Sequence, residues 1–233
     1  MRKAAVRLWW EGVKDSQPIM IGYFPVAVMF GISSRTAGLG AAEALLISVL
    51  VFAGASQFAL VGMIASGVSF PGALLATAGL NLRHIFYGPA IAPYLGVKGW
   101  KQALPLAFGL TDEVFASAIA VLPTRDVQDR APLMLGLETG AYVSWLLGTV
   151  TGALGFQVAA DLVPKLVPIL SFSLPSLFLV ILLPLAKGKG AIPALVAATV
   201  AAGLIFCGLS TMALLAGGLA GATAGACLGG DDE

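Results

Sequence analysis

A chain of 233 residues that is 58% hydrophobic and 11% charged, with a mean hydropathy of +0.94, lies far from the composition of soluble globular domains. It reads as an all-α polytopic membrane protein forming one integral membrane transporter domain over residues 1–233. The 13 basic and 12 acidic residues nearly cancel, which argues against a nucleic-acid partner and against a general polybasic attraction to lipid headgroups.

The first fifteen residues carry Arg2, Lys3, Arg7 and Lys14, with Trp9 and Trp10 as an interfacial aromatic anchor. No small-x-small cleavage site follows before Arg35, so the first apolar run is expected to stay as a helix. Apolar segments follow at 18–34, 42–65, 69–95, 103–122, 132–154, 166–185, 191–206 and 209–228. Most approach the roughly 20 residues that span about 30 Å of hydrocarbon, so about eight transmembrane helices are expected. With a cytoplasmic N-terminus, Arg2, Lys3, Arg7, Lys14, Arg125, Arg130, Lys187 and Lys189 fall inside, against Arg35, Lys98, Lys101 and Lys165 outside. The excess of basic residues inside favours that orientation.

Segments 1–3 align loosely with segments 4–6. Three helices per unit would give two units of opposite orientation, the inverted repeat of many secondary transporters, with broken helices at its centre. Gly54, Gly88 and Pro89 are the expected breaks, since an interrupted helix survives in lipid only where protein or a water-filled cavity satisfies the freed backbone groups. Cys207 and Cys227 lie in apolar stretches with no CxxC or Cys/His spacing and read as small buried hydrophobes. No metal site and no cofactor are expected.

Four charged residues fall well inside spans, away from their ends: Arg83, Asp112, Glu113 and Glu138. At about 2.5–3.5 kcal/mol each, four unpaired charges cost on the order of 10 kcal/mol, so partners are required. Arg83 paired with one acid at 4 Å recovers about 4 kcal/mol before desolvation. Asp112 and Glu113 are about 100° apart on a helix, so one is expected to face the cavity and the other to pair structurally. Arg83 and Tyr87 share one helix face, and Asn81, His84 and Gly88 another.

His84, the only histidine, is either a packing residue or a proton relay. Asp112, Glu113 and His84 are the candidates for proton coupling. Ser56, Gln57, Asn81, Arg83 and Asp112 are the candidates for substrate binding, with Phe52, Phe58, Phe86 and Phe115 as an apolar side-chain pocket.

The stretches FAGASQF at 52–58, NLRHIFYGPAIAPYL at 81–95 and LTDE at 110–113 resemble the AzlC family of branched-chain amino-acid exporters over most of residues 15–205. That resemblance implies a permease of the bacterial cytoplasmic membrane that exports branched-chain or related amino acids. It also implies a small AzlD-type membrane subunit as partner, and it leaves room for an oligomer. No Walker-type motif is present, which favours a proton- or potential-driven carrier over an ATP-driven one. The competing readings are an intramembrane serine hydrolase, with Ser56 as nucleophile and His84 as base, and a passive channel or scaffold. The expectation is a transporter and no enzyme.

Overall fold

The computed structural model describes residues 2–97, 99–162, 188 and 191–229, and the regular structure in them is helical throughout. The expected segment at 166–185, and with it the last helix of the second repeat unit, lies outside the described residues, as do Lys98, Lys165, Lys187 and Lys189. The chain divides into two compact units, Met1–Leu174 and Pro175–Glu233.

The first unit is built on a seam between its longest helices. Helix α1 (Arg2–Asp15) runs into α2 (Gln17–Thr36), and the ladder continues through Ser16, which donates its N–H to the Gly12 carbonyl at 3.0 Å and accepts from Met20 at 2.9 Å. Both pack along α9 (Val127–Leu162), running parallel to it. Gly136, Gly140, Ser144, Gly148 and Gly152 recur every fourth residue of α9 and form one stripe.

Small residues allow helix backbones to approach closely, which replaces the missing hydrophobic driving force between helices in lipid. A Cβ on Gly152 would come within 2.7 Å of the Val28 carbonyl carbon, and one on Gly31 within 2.6 Å of the Ala153 nitrogen. Ser144 donates to the Met20 carbonyl at 2.8 Å and Trp9 to Thr139 at 3.2 Å. Trp9 is thus part of the seam, while its neighbour Trp10 remains exposed.

Three of the expected single spans are each divided in two. Segment 42–65 becomes α3 (Ala41–Leu50) and α4 (Gly54–Ala65), and segment 69–95 becomes α5 (Phe70–Asn81) and α6 (His84–Leu95). Segment 103–122 becomes α7 (Trp100–Phe108) and α8 (Asp112–Val121), bent by 118° across Gly109–Thr111 as a broken span or a re-entrant loop. Among the described residues, α2 and α9 are long and apolar enough to cross alone, and the bent pair makes up to three crossings.

Gly54 opens α4 directly after one interruption. Gly88 and Pro89 do not break a helix: both lie inside α6, and the interruption falls earlier, at Leu82–Arg83. There the backbone stays in the right-handed helical region and tightens into i→i−3 bonds, Leu82 to Gly79 at 3.2 Å, Ile85 to Leu82 at 3.1 Å and Phe86 to Arg83 at 3.1 Å. Pro89 removes one ladder donor and the remaining turns hold.

In the second unit, α10 (Ala191–Phe206) and α11 (Ser210–Gly229) form a hairpin through close approaches such as Gly221 to Ala197. Cys207 and Cys227 are exposed, contrary to the expectation of burial: Cys207 sits in the turn that follows α10 and Cys227 in the last turn of α11.

The glycine seam yields a direct test. Gly152→Leu forces the Val28 backbone away and is expected to destabilise the protein by about 3 kcal/mol or more. Gly155→Ala, with nothing within 4 Å of its Cβ position, serves as the near-neutral control. Thermal unfolding of the two variants in detergent, side by side, measures the difference.

Candidate functional site

Each interruption leaves backbone groups that the surrounding protein must satisfy. After α3, Phe52 turns inward among Tyr142, Tyr23 and Trp145, with ring centroids at 5.0, 6.1 and 6.4 Å. Tyr142 donates its hydroxyl to the Val49 carbonyl at 3.1 Å, completing one of the last carbonyls of α3. Gly54 lies on the Trp145 indole, and a Cβ there would meet Cη2 at 2.8 Å. A buried chain then ties the broken pair to α9: Gln57 donates to Ser48 at 3.0 Å and Ser48 shares a hydrogen bond with Thr149 at 2.8 Å.

The second and third interruptions meet through charge. Thr111 caps α8 in an extended conformation, so Asp112 and Glu113 occupy the first turn, where the helix dipole favours anions. Arg83 Nη2 lies 2.8 Å from Asp112 Oδ2, with the arginine side chain 39% and the aspartate 21% exposed. Tyr87 donates its hydroxyl to Asp112 and stacks on Phe115, centroids 4.6 Å apart and rings inclined by 13°. Glu113 instead accepts from Tyr23 of α2, whose hydroxyl also lies 2.7 Å from Thr111 Oγ1. Neighbouring acids on one helix are therefore held by different elements, one by α6 and the other by the seam.

A cavity of about 300 Å³ opens where all three interruptions converge, lined among others by Val51, Phe52, Asn81, His84, Phe108 and Leu110. Two buried polar atoms at this place lack partners, Asn81 Oδ1 and Arg83 Nε. His84 Nδ1 lies 3.0 Å from the Asn81 carbonyl, and its ring meets Tyr87 edge-on at 5.3 Å. Asn81 Oδ1 offers this cavity a neutral acceptor beside the Phe52 and Phe108 rings, and the Arg83–Asp112 pair stands at the same interruptions without lining it.

Of the expected binding residues, Asn81 lines this cavity, while Ser56, Gln57, Arg83 and Asp112 do not. Ser56 and Gln57 are fully buried behind its wall, Ser56 donating to the Ala53 carbonyl at 2.9 Å and Gln57 to Ser48. Of the four phenylalanines expected to form an apolar pocket, Phe52 lines the cavity. Phe58 packs edge-on against Phe30 at 5.6 Å, Phe115 stacks on Tyr87, and Phe86 is 73% exposed. No hydrogen bond among the described residues joins Ser56 to His84, since each engages a backbone carbonyl of its own neighbourhood.

The family described as AzlC protein matches residues 18–158. The chain belongs to the AzlC family. The matched span of AzlC runs from α2 into α9 and takes in all three interruptions, the Arg83–Asp112 pair and the cavity. An uncharacterized membrane protein of Archaeoglobus fulgidus is 39% identical over 91% of this chain and 91% of its own. The inner membrane protein YgaZ of Escherichia coli strain K12 is 38% identical over 74% of this chain and 71% of its own. The branched-chain amino acid transport protein AzlC of Bacillus subtilis is 26% identical over 59% of this chain and 53% of its own. This AzlC-family chain is thus a membrane protein related to a branched-chain amino-acid transport protein. No solved structure matches it.

The tyrosine hydroxyls of the site were not singled out as partners in the sequence. Tyr87 was legible as the i+4 neighbour of Arg83. Tyr23 and Tyr142 lie in runs whose only signal is a hydroxyl at mid-span.

The ion pair is testable by a double-mutant cycle. Arg83→Gln and Asp112→Asn are each expected to destabilise by about 1–3 kcal/mol. The double variant should recover a coupling energy of about 1 kcal/mol or more. Unfolding in detergent micelles measures all four corners.

Proposed function

We propose that this chain is the large subunit of a two-component secondary carrier that exports branched-chain or related amino acids across the bacterial cytoplasmic membrane. A proton gradient or the membrane potential drives it, a small AzlD-type membrane subunit completes it, and the N-terminus is cytoplasmic. The chain carries out transport and no covalent chemistry.

The observation that supports this reading is the cavity at the convergence of three interrupted helices, with the unpartnered Asn81 Oδ1 in its lining and the Arg83–Asp112 pair at the same interruptions. Transporters place substrates at such interruptions near the bilayer midplane. A zwitterion suits the groups on hand: its carboxylate takes the open Arg83 Nε–H, and its ammonium takes Asn81 Oδ1 and Asp112. Insertion between Arg83 and Asp112 replaces their mutual contact with two contacts to the ligand. No charge is then left uncompensated when the site is empty or full. Phe52 and Phe108 supply apolar wall for an aliphatic side chain.

The printed function of the Bacillus subtilis relative supports the substrate class, and the description of the Escherichia coli relative supports the membrane. Two positions at one end of the first unit support the grouping of basic residues on one side: Arg125 lies 3.7 Å from Glu11 and 4.0 Å from Asp15 of the N-terminal helix.

Efflux of labelled valine and isoleucine tests this, from cells lacking other exporters, with and without the adjacent small membrane gene. Arg83→Ala and Asp112→Asn should each lower efflux about tenfold or more at equal protein level, as expected when one partner of a close charge pair is lost. A protonophore should abolish uphill movement. Unchanged efflux in both variants would overturn the site, and efflux that never runs uphill would overturn the carrier.

A further inference from the structure

Asp112, Glu113 and His84 all have hydrogen-bond or ionic partners in the structure. Glu138, in the middle of α9, has none among the described residues. Its side chain is 5% exposed, and its Oε1 is buried without a hydrogen-bond partner. It lines a second cavity of about 160 Å³ together with Pro105, Phe108, Gly109 and Tyr142.

Several of the neighbouring charges are engaged with one another. Of the elements packed against α9, the N-terminal helix presents Glu11 and Asp15 to Arg125 and carries Lys14 in its last turn. Helix α2 directs Tyr23 to Glu113 and Thr111, and α3 carries Glu43 in its first turn. Helices α6 and α8 contribute the Arg83, Tyr87 and Asp112 cluster, and α7 has Lys101 in its first turn. On α9 itself, Tyr142 donates to Val49, Arg130 binds the Arg125 and Tyr94 carbonyls, and Asp129 sits in the first turn. None of the ion pairs among the described residues includes Glu138.

What Glu138 does touch is a hinge. Gly109 ends α7 at the 118° bend into α8, and a Cβ there would come within 2.6 Å of Glu138 Cβ and 2.8 Å of its carboxyl carbon. Phe108, one residue before the hinge, lines both the Glu138 cavity and the cavity beside Asn81 and His84. Any displacement of the hinge against Glu138 therefore moves a wall of the other cavity.

We propose that Glu138 is a proton-binding site whose occupancy sets the α7–α8 hinge. A proton adds to a carboxylate oxygen from one aqueous side and leaves it toward the other, and no other bond changes. Ionised and unpaired at this depth, the carboxylate draws toward water and holds the hinge away from α9. Neutral, it lets Gly109 close on α9. The proposal rests on the transport reading only for the use made of the proton, and its test needs no substrate.

The test uses the full chain in membrane vesicles, with Cys207 and Cys227 replaced by serine and Ala107→Cys as reporter beside the hinge. Maleimide labelling is measured near pH 6 and near pH 8, with Glu138 and with Glu138→Gln. The reporter thiol's own titration is common to both, so the ratio of rates isolates Glu138. A difference of about threefold or more between the two ratios is expected, with Glu138→Gln resembling the low-pH form.

Equal ratios in the two backgrounds would overturn the proposal. In case Glu138→Gln fails to fold, carbodiimide labelling of the unsubstituted chain reads the same site. Modification at Glu138, found by mass spectrometry and falling as pH rises, supports the proposal, and an unmodified Glu138 at low pH overturns it. Absence of amino-acid efflux would overturn the transport reading alone, leaving both of these readouts to decide Glu138.

Discussion

The contact of Arg83 with Asp112 is the constraint around which the first unit is arranged. Each residue alone would be a charge at a depth where lipid offers nothing to solvate it. Bringing them to 2.8 Å requires two helices to be interrupted at matching heights, α5–α6 at Leu82–Arg83 and α7–α8 at Gly109–Thr111. The interruptions in turn expose carbonyl and amide groups, and the tyrosine hydroxyls serve those groups and the acids beside them. Tyr142 completes the end of α3, Tyr23 bridges Thr111 and Glu113, and Tyr87 adds a second donor to Asp112.

Such a layer of irregular backbone needs a rigid wall to lean on. The seam of the N-terminal helices against α9 supplies it, because backbones in contact leave no room to slide. The wall also carries polar anchors facing the layer: Trp145 under Gly54, Thr149 under Ser48 and Glu138 under Gly109. Two of the three interrupted pairs, α3–α4 and α7–α8, therefore touch the wall at or next to their weak points. The unit divides into a part built for stiffness and a part whose segments are short enough to move.

Much of this was legible in the residue types. The all-helical membrane class, the family and the need for Arg83 to find an acid follow from hydropathy, motif and the price of an unpaired charge in lipid. The location of the second interruption did not follow, because Gly88 and Pro89 are the usual breakers and the helix absorbed both. The polar residues won: a chain that must aim Asn81, Arg83 and His84 in different directions tightens at those residues. Ser56 and Gln57 looked like ligand groups because neutral polar side chains at mid-span suit both a substrate and a neighbouring helix. Only packing distinguishes the two, and it buried them. The break before Gly54 was expected, whereas the division of 103–122 at Gly109–Thr111 was hidden, since each half continues the hydropathy of the other.

The parallel seam has a consequence for how the protein is made. Met20 and Ser144, joined in it, are 124 residues apart. At about 5–20 residues per second, roughly ten seconds of synthesis separate the arrival of α2 from that of its partner α9. Only the last 32 residues of that stretch separate Asp112 from Ser144, and over them Arg83 and Asp112 lack the wall that later braces them. They are 29 residues apart in the chain, so the pair can close while α9 is still being made. Closed at that stage, the ion pair spares an assembly intermediate two bare charges in lipid, before it comes to stand beside a finished cavity.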